Sequence, residues 1–209
     1  MRRALWASFV PLLLVLQGCE LALIGAGGAA AITAFDRRTT GAIYQDESMA
    51  LTIRQRIEGR FGSMTHVNVA PYNRAVLLTG EAPDETTRAA VEADVRDIAN
   101  VRGIVNDIQI RPVSSVAERA NDAFITSKIK ARFLDSGRVN PVHVKVVTEA
   151  GVVYLLGLVT EAEANQAVEI ARTTGGVRKV VKIFDFCQTS DEVCRPQPKP
   201  PAENLKPPA

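Results

Sequence analysis

The chain has 209 residues, 25 basic against 23 acidic side chains, and 46% apolar residues, enough for one ordinary domain or two small ones. A charged fraction of 23% is ordinary for a folded protein and excludes disorder along the whole chain; a formal charge of +2 with 5% aromatic residues offers no footing for nucleic acid, by charge or by base stacking. Two histidines and three cysteines leave little material for a metal centre or histidine catalysis, and the odd cysteine count needs its own explanation. At the N-terminus, Arg2 and Arg3 precede an apolar run from Ala4 to Leu16, broken only by Ser8 and Pro11. A charged start and a short apolar core make a secretion signal, too short to span a bilayer, which takes about 20 residues.

The run ends in Leu16-Gln17-Gly18-Cys19, which resembles the bacterial lipobox. The resemblance implies that residues 1–18 are a lipoprotein signal peptide, that the Cys19 sulfur carries diacylglycerol, and that the new amine is acylated. Several acyl chains anchor stably, at roughly 0.8 kcal/mol per buried methylene. Glu20, where an Asp would imply retention in the inner membrane, implies the outer membrane, facing the periplasm. Residues 19–45 read as a lipid-anchored linker, Ala/Gly-rich at first and then polar from Asp36 to Gly41. Gly25-Ala26-Gly27-Gly28 is not a phosphate loop, because no strand precedes it and no Lys-Ser/Thr follows.

The interior is one unit used twice. Val67-Asn68-Val69 and Val76-Leu77-Leu78-Thr79-Gly80 recur as Val144-Lys145-Val146 and Val153-Tyr154-Leu155-Leu156-Gly157. Ile53, Ile57 and Phe61 recur every four residues, as do Ile125, Ile129 and Phe133; these are helix stripes, and matched to each other they put the first helices 72 apart where the strands are 77 apart, which implies a longer helix-to-strand loop in the second copy, around Asp135 to Pro141. The valine pairs alternate as strands do, with turns at Asn73-Arg74 and Glu149-Ala150-Gly151. Residues 84–98 and 161–173 read as helices capped by Asp84 or Thr160, and last strands follow at 104–110 and 180–186. Each unit is therefore helix, strand, strand, helix, strand, with two helices covering one face of a three-stranded sheet.

This order, with V-x-x-L-x-G closing the second strand, resembles the BON domain. The resemblance implies an α+β fold (an α/β sandwich) of two tandem αββαβ domains, each with a three-stranded mixed sheet under two helices, at 46–112 and 121–186. Residues 113–120 are a short linker, and the short joint from Arg111 to Ser115 favours close neighbours. Asn100 stands where the second copy has Gly176, and Asn tolerates positive φ. Residues 187–209 form a tail with six of the eleven prolines, a composition that favours extended polyproline II. Cys187 and Cys194 remain once Cys19 is assigned. An exported compartment permits their disulfide, which would contribute roughly 2 to 3 kcal/mol by chain entropy; two free thiols are the alternative.

No serine or cysteine sits in a nucleophile elbow and no carboxylate pair has metal-ligand spacing. His66 and His143 read as strand-edge residues, and Asp94 with Asp97 as a solvated helix face. The expectation is a non-enzymatic protein with no catalytic residues, no cofactor and no metal. More informative is the first helix of the second unit. Phe124, Lys128 and Ala131 lie off its core stripe, with Ser127 beside them and Leu134 a turn further. Lys128, Lys130, Arg132 and Arg138 surround these apolar groups, an arrangement suited to an anionic bilayer. The region of the first unit matched at the same spacing (Thr52, Gln55, Arg56, Gly59, Gly62) offers no aromatic. The first domain carries 8 bases and 10 acids, net −2, and the second 9 bases and 7 acids, net +2. A lipobox followed by two BON domains is similar to the dual-BON outer-membrane lipoproteins. That implies binding of anionic, phosphatidylglycerol-like phospholipid through Phe124, Ser127, Lys128, Leu134 and Ser136, and a role in envelope integrity at the division site. Two alternatives stand beside it: Phe124 packs on the first domain or on the loop after Pro112, or the pair of domains is an adaptor for an envelope protein partner.

Overall fold

Tandem repetition organises the fold, and the computed structural model describes residues 36–194. The first repeat runs α1 (Thr40–Phe61), β1 (His66–Tyr72), β2 (Ala75–Ala82), α2 (Glu85–Arg96), β3 (Gly103–Asn106) and β4 (Gln109–Ile110). The second runs α3 (Val116–Ser136), β5 (Val144–Glu149), β6 (Val152–Val159), α4 (Glu161–Arg172) and β7 (Lys179–Phe186). In each sheet the middle strand pairs antiparallel with the one before it and parallel with the one after the helix, giving the mixed three-stranded pattern of an αββαβ unit. The assignments of Cys19 and of the proline-rich segment 195–209 lie outside the described residues.

Local chemistry sets the helix ends. Ser115 accepts from the Glu118 amide while Glu118 accepts from Ser115, and Thr160 and Glu163 make the same reciprocal cap, each box satisfying two otherwise orphaned groups. Bonding from the Ser115 backbone first, then from Arg111 and the Ser115 hydroxyl, pulls the exposed Glu118 carboxyl down to about 2. The cap starts α3 at Val116, inside the stretch the sequence reads as a linker, and α1 likewise reaches back to Thr40. The joint between domains is correspondingly shorter.

The strand expected over 104–110 is interrupted. β3 and β4 pair with β2 in one register, but Asn106 Oδ1 accepts from the Ile108 amide, a local side-chain bond that competes with the ladder. Its counterpart β7 carries no such residue and is continuous. Gly80 and Gly157 mark the sites of closest backbone approach. A Cβ there would lie 1.9 Å from the His66 carbonyl oxygen and 2.5 Å from that of His143, and Gly80 also has φ +107°. Asn100 and Gly176 both adopt positive φ, +69° and +101°.

The helix correspondence is one turn away from the spacing of 72. Asp46, from α1, accepts from the amides of Asn73 and Arg74 in the β1–β2 turn. Asp122, from α3, accepts from those of Ala150 and Gly151 in the β5–β6 turn. These carboxylates put Met49, Ile53 and Ile57 opposite Ile125, Ile129 and Phe133, a spacing of 76, with Phe61 on an extra turn. The apolar stripe misleads because its four-residue recurrence fits equally well when slid by four.

Side chains alternate across the strands. Val76 and Leu78 of β2, and Val153 and Leu155 of β6, face the helices of their own domain. Leu77 with Ala70 and Tyr72, and Tyr154 and Leu156 with Val152, form a third cluster between the two sheets. The sheets therefore pack on each other and the helices lie outside, so the described residues from Arg37 on form one compact unit. Polar contacts pin this interface. Tyr154 donates to Asp107 at 2.6 Å and the Leu158 amide donates to the Tyr72 hydroxyl at 3.0 Å. Asn73 and Arg102 both donate to Asp185.

Candidate functional site

Because α3 lies on an outer layer, one side of it is free of protein. Ile125, Ile129 and Phe133 are fully buried against the sheet. Phe124 is 61% exposed and Leu134 66% exposed. Ser127 is exposed and Lys128 and Ser136 are half-buried. The structure thus displays Phe124 outward, away from the first domain. The exposed apolar and small positions extend further than the sequence indicated. Val116, Ala120, Ala123, Phe124, Ser127, Ala131 and Leu134 are all exposed and fall at intervals of three and four, one side of a helix. At 1.5 Å per residue this stripe is roughly 27 Å long.

The polar groups of this face divide into two kinds. Lys128 holds its ammonium 4.7 Å from the centre of the Phe124 ring and donates to the Gly175 carbonyl, fixing the ring by a cation–π contact. Arg132 is drawn inward: it donates to the Ile170 carbonyl and to the hydroxyls of Thr173 and Thr174 at the end of α4. Ser127 donates to the Phe124 carbonyl. Ser136 donates to the Phe133 carbonyl and accepts from the Arg138 amide, so its hydroxyl closes the helix end. Lys130 and Arg138 are exposed beside the stripe. With the corrected spacing, the first domain presents Ser48, Leu51, Thr52, Gln55 and Glu58 where the second has Phe124, Ser127, Lys128, Ala131 and Leu134. It has neither the aromatic nor the adjoining lysine.

Other expected residues fall elsewhere. Asp94 is not on a solvated face: it pairs with Arg60, and its carbonyl accepts from Arg56. Burial alone would raise the Glu163 carboxyl, but bonds from His143, Arg37 and Thr160 outweigh it and hold it well below the usual carboxylate range. Cys187 and Cys194 are joined in a disulfide with Cα atoms 6.2 Å apart, seven positions apart in sequence. His66 meets two glutamates from different domains, a convergence hidden in the sequence because the residues are far apart along the chain. No helix among the described residues is long and apolar enough to cross a membrane.

Comparison with known proteins agrees with this architecture. The chain matches the BON domain over residues 48–112 and again over 121–187. It is 36% identical to the outer membrane lipoprotein DolP of Haemophilus influenzae over 173 residues, 82% of this chain and 90% of that protein. It is 31% identical to the 21 kDa hemolysin of Actinobacillus pleuropneumoniae, over 73% of this chain and 80% of that one. With the osmotically-inducible protein Y of Escherichia coli it shares 30% identity over 56% of this chain and 59% of that one.

Proposed function

The chain belongs to the BON-domain family, and from that premise we propose that it is a lipid-anchored outer-membrane protein facing the periplasm, which binds anionic phospholipid through α3. In this reading Cys19 carries the acyl anchor, the protein is not an enzyme, and its task is to support envelope integrity, including at the division site. The similarity to an outer membrane lipoprotein supports the location, and the lipobox supports the mode of attachment.

The observation that carries the lipid reading is the exposed stripe on α3, with Phe124 and Leu134 at its centre and end. Burying such a side chain contributes about 1.5–3 kcal/mol, and each base at an anionic surface adds about 1 kcal/mol. Lys128 and Lys130 supply that charge, while Arg132 is committed to α4. The first domain, net −2 and without the aromatic, points away from the bilayer in this arrangement.

Vesicle cosedimentation of the chain from residue 20, lacking the acylated cysteine, tests the reading. Phosphatidylglycerol vesicles bind it and phosphatidylcholine vesicles bind it at least tenfold less. Lys128→Glu, with its thermal stability checked in parallel, erases that preference. Equal binding to both vesicles contradicts the proposal. The small residues Ala120, Ala123 and Ala131 in the stripe also suit a docked helix, which favours an envelope protein partner as the second reading. Crosslinking from position 124 in cells separates the two: a single stoichiometric protein adduct supports the adaptor.

A further inference from the structure

A second site lies between the domains, away from α3's exposed face. His66 begins β1, Glu81 stands opposite it near the end of β2, and Glu149 ends β5 of the other domain. One ligand atom from each lies within 4.8 Å of the other two. His66 Nδ1 is 3.0 Å from Glu81 Oε2. Glu81 and Glu149 are only 1% and 3% exposed, so two carboxylates share a low-dielectric interior, where like charges are costly without a cation.

The protein's own donors meet one oxygen of each carboxylate, Oε2 of Glu81 and Oε2 of Glu149. Ser114 donates to Glu81 Oε2 from both its amide and its hydroxyl. Asn68 donates to Glu149 Oε2 at 2.6 Å, and Thr79 reaches the same oxygen at 3.5 Å. Of the nearby cations, Lys145 donates to the Pro71 carbonyl and Arg54 to the Val69 carbonyl, while Arg111, paired with Glu118, attracts both carboxylates only through space. A cleft lined by His66, Asn68, Thr126 and Glu149 opens onto the cluster, and the imidazole, one quarter exposed, stands at its mouth.

We propose that His66, Glu81 and Glu149 form a divalent-cation site, taking Zn²⁺, that ties the first domain to the second. An imidazole with two carboxylates is a nitrogen–oxygen set suited to zinc, whereas magnesium and calcium take oxygen. Zinc bonds of about 2 Å in a tetrahedron set ligand atoms about 3.3 Å apart; the histidine–Glu81 pair already meets this, and Glu149, within 4.8 Å of both, needs a side-chain adjustment of up to about 1.5 Å. The asparagine and serine donors on the carboxylates act as the outer shell that orients ligands. The fourth position is left to water from the cleft.

The test uses the full-length chain in detergent, stripped with EDTA and then given Zn²⁺ or Mg²⁺. After desalting, zinc is retained at one ion per chain, and zinc at a hundredfold excess over its dissociation constant raises Tm by roughly 5–10 °C. Magnesium does neither. His66→Gln and Glu149→Gln, which preserve size and hydrogen bonding, each weaken zinc binding at least tenfold and abolish the shift while the metal-free Tm stays within a few degrees of wild type. Retention of no zinc, or equal retention and equal stabilisation in both variants, overturns the proposal.

Discussion

Gly80 shows how a single atom is rationed in this fold. Its Cβ would overlap the His66 carbonyl oxygen, and its φ of +107° is strained for any other residue. Gly80→Ala is expected to cost about 3 kcal/mol, read as a lower denaturant midpoint at unchanged m-value. Asp122 is equally committed: Asp122→Ala leaves the Ala150 and Gly151 amides without their acceptor, at about 1–3 kcal/mol for a stranded buried group. Three carboxyls contribute to the acid limb of stability: Asp84, lowered by its cap bonds from Thr87, and, more strongly, Glu118 and Glu163. Glu118, down at about 2, and Glu163, lower still, have folded values below their ordinary 4.5. A depressed carboxyl contributes stability that is complete above its unfolded value and lost as pH falls through the folded one. The part of stability these two carboxyls supply should therefore decline as pH falls below 4.5, while the buried Glu149, its carboxyl raised by desolvation, adds a loss as pH rises through its folded value. Glu118→Gln and Glu163→Gln should each lower Tm at pH 7 and flatten that decline; an unchanged slope in both contradicts the assignment.

At the scale of the element, α3 carries two faces with different duties. Ile125, Ile129 and Phe133 build the core, and the opposite side holds the stripe. The stripe was partly legible in the sequence, since Phe124 and Leu134 fall off the core period and are apolar where nothing in the core requires it. Its full extent was not, because alanine and serine carry no signal of exposure. Nor was the inward turn of Arg132, whose partners at the end of α4 are some forty residues away. The helix register was ambiguous for a simpler reason: apolar residues every four positions look alike when shifted by one turn, and only the carboxylate-to-turn bonds of Asp46 and Asp122 fix it. The αββαβ order, by contrast, was legible throughout, because alternation, turn residues and caps agree at every boundary. The exception is β3–β4, where the Asn106 side chain overrides a strand-like pattern.

At the scale of the molecule, the sheets bury each other's second face. The sequence carried a sign of this in Val153-Tyr154-Leu155-Leu156, a continuous apolar run of the kind found in strands buried on both sides. The separation into two units hid it. Since Tyr72, Leu77, Tyr154 and Leu156 are shared between domains, the intact chain should unfold in one transition. Tyr154→Ala, losing a fully buried aromatic ring and its bond to Asp107, should lower stability by about 3–5 kcal/mol. Two resolved calorimetric transitions in the wild type would contradict shared packing. Sheet-to-sheet packing also places the α3 stripe on the outside of the whole molecule, where a bilayer can reach it. The most direct measurement is the partition coefficient onto phosphatidylglycerol vesicles of the unacylated chain and of its Phe124→Ala/Leu134→Ala variant. The account predicts a loss of at least tenfold, about 1.4 kcal/mol or more, with Tm unchanged within about 2 °C because both side chains are exposed; undiminished binding by the folded variant would contradict it.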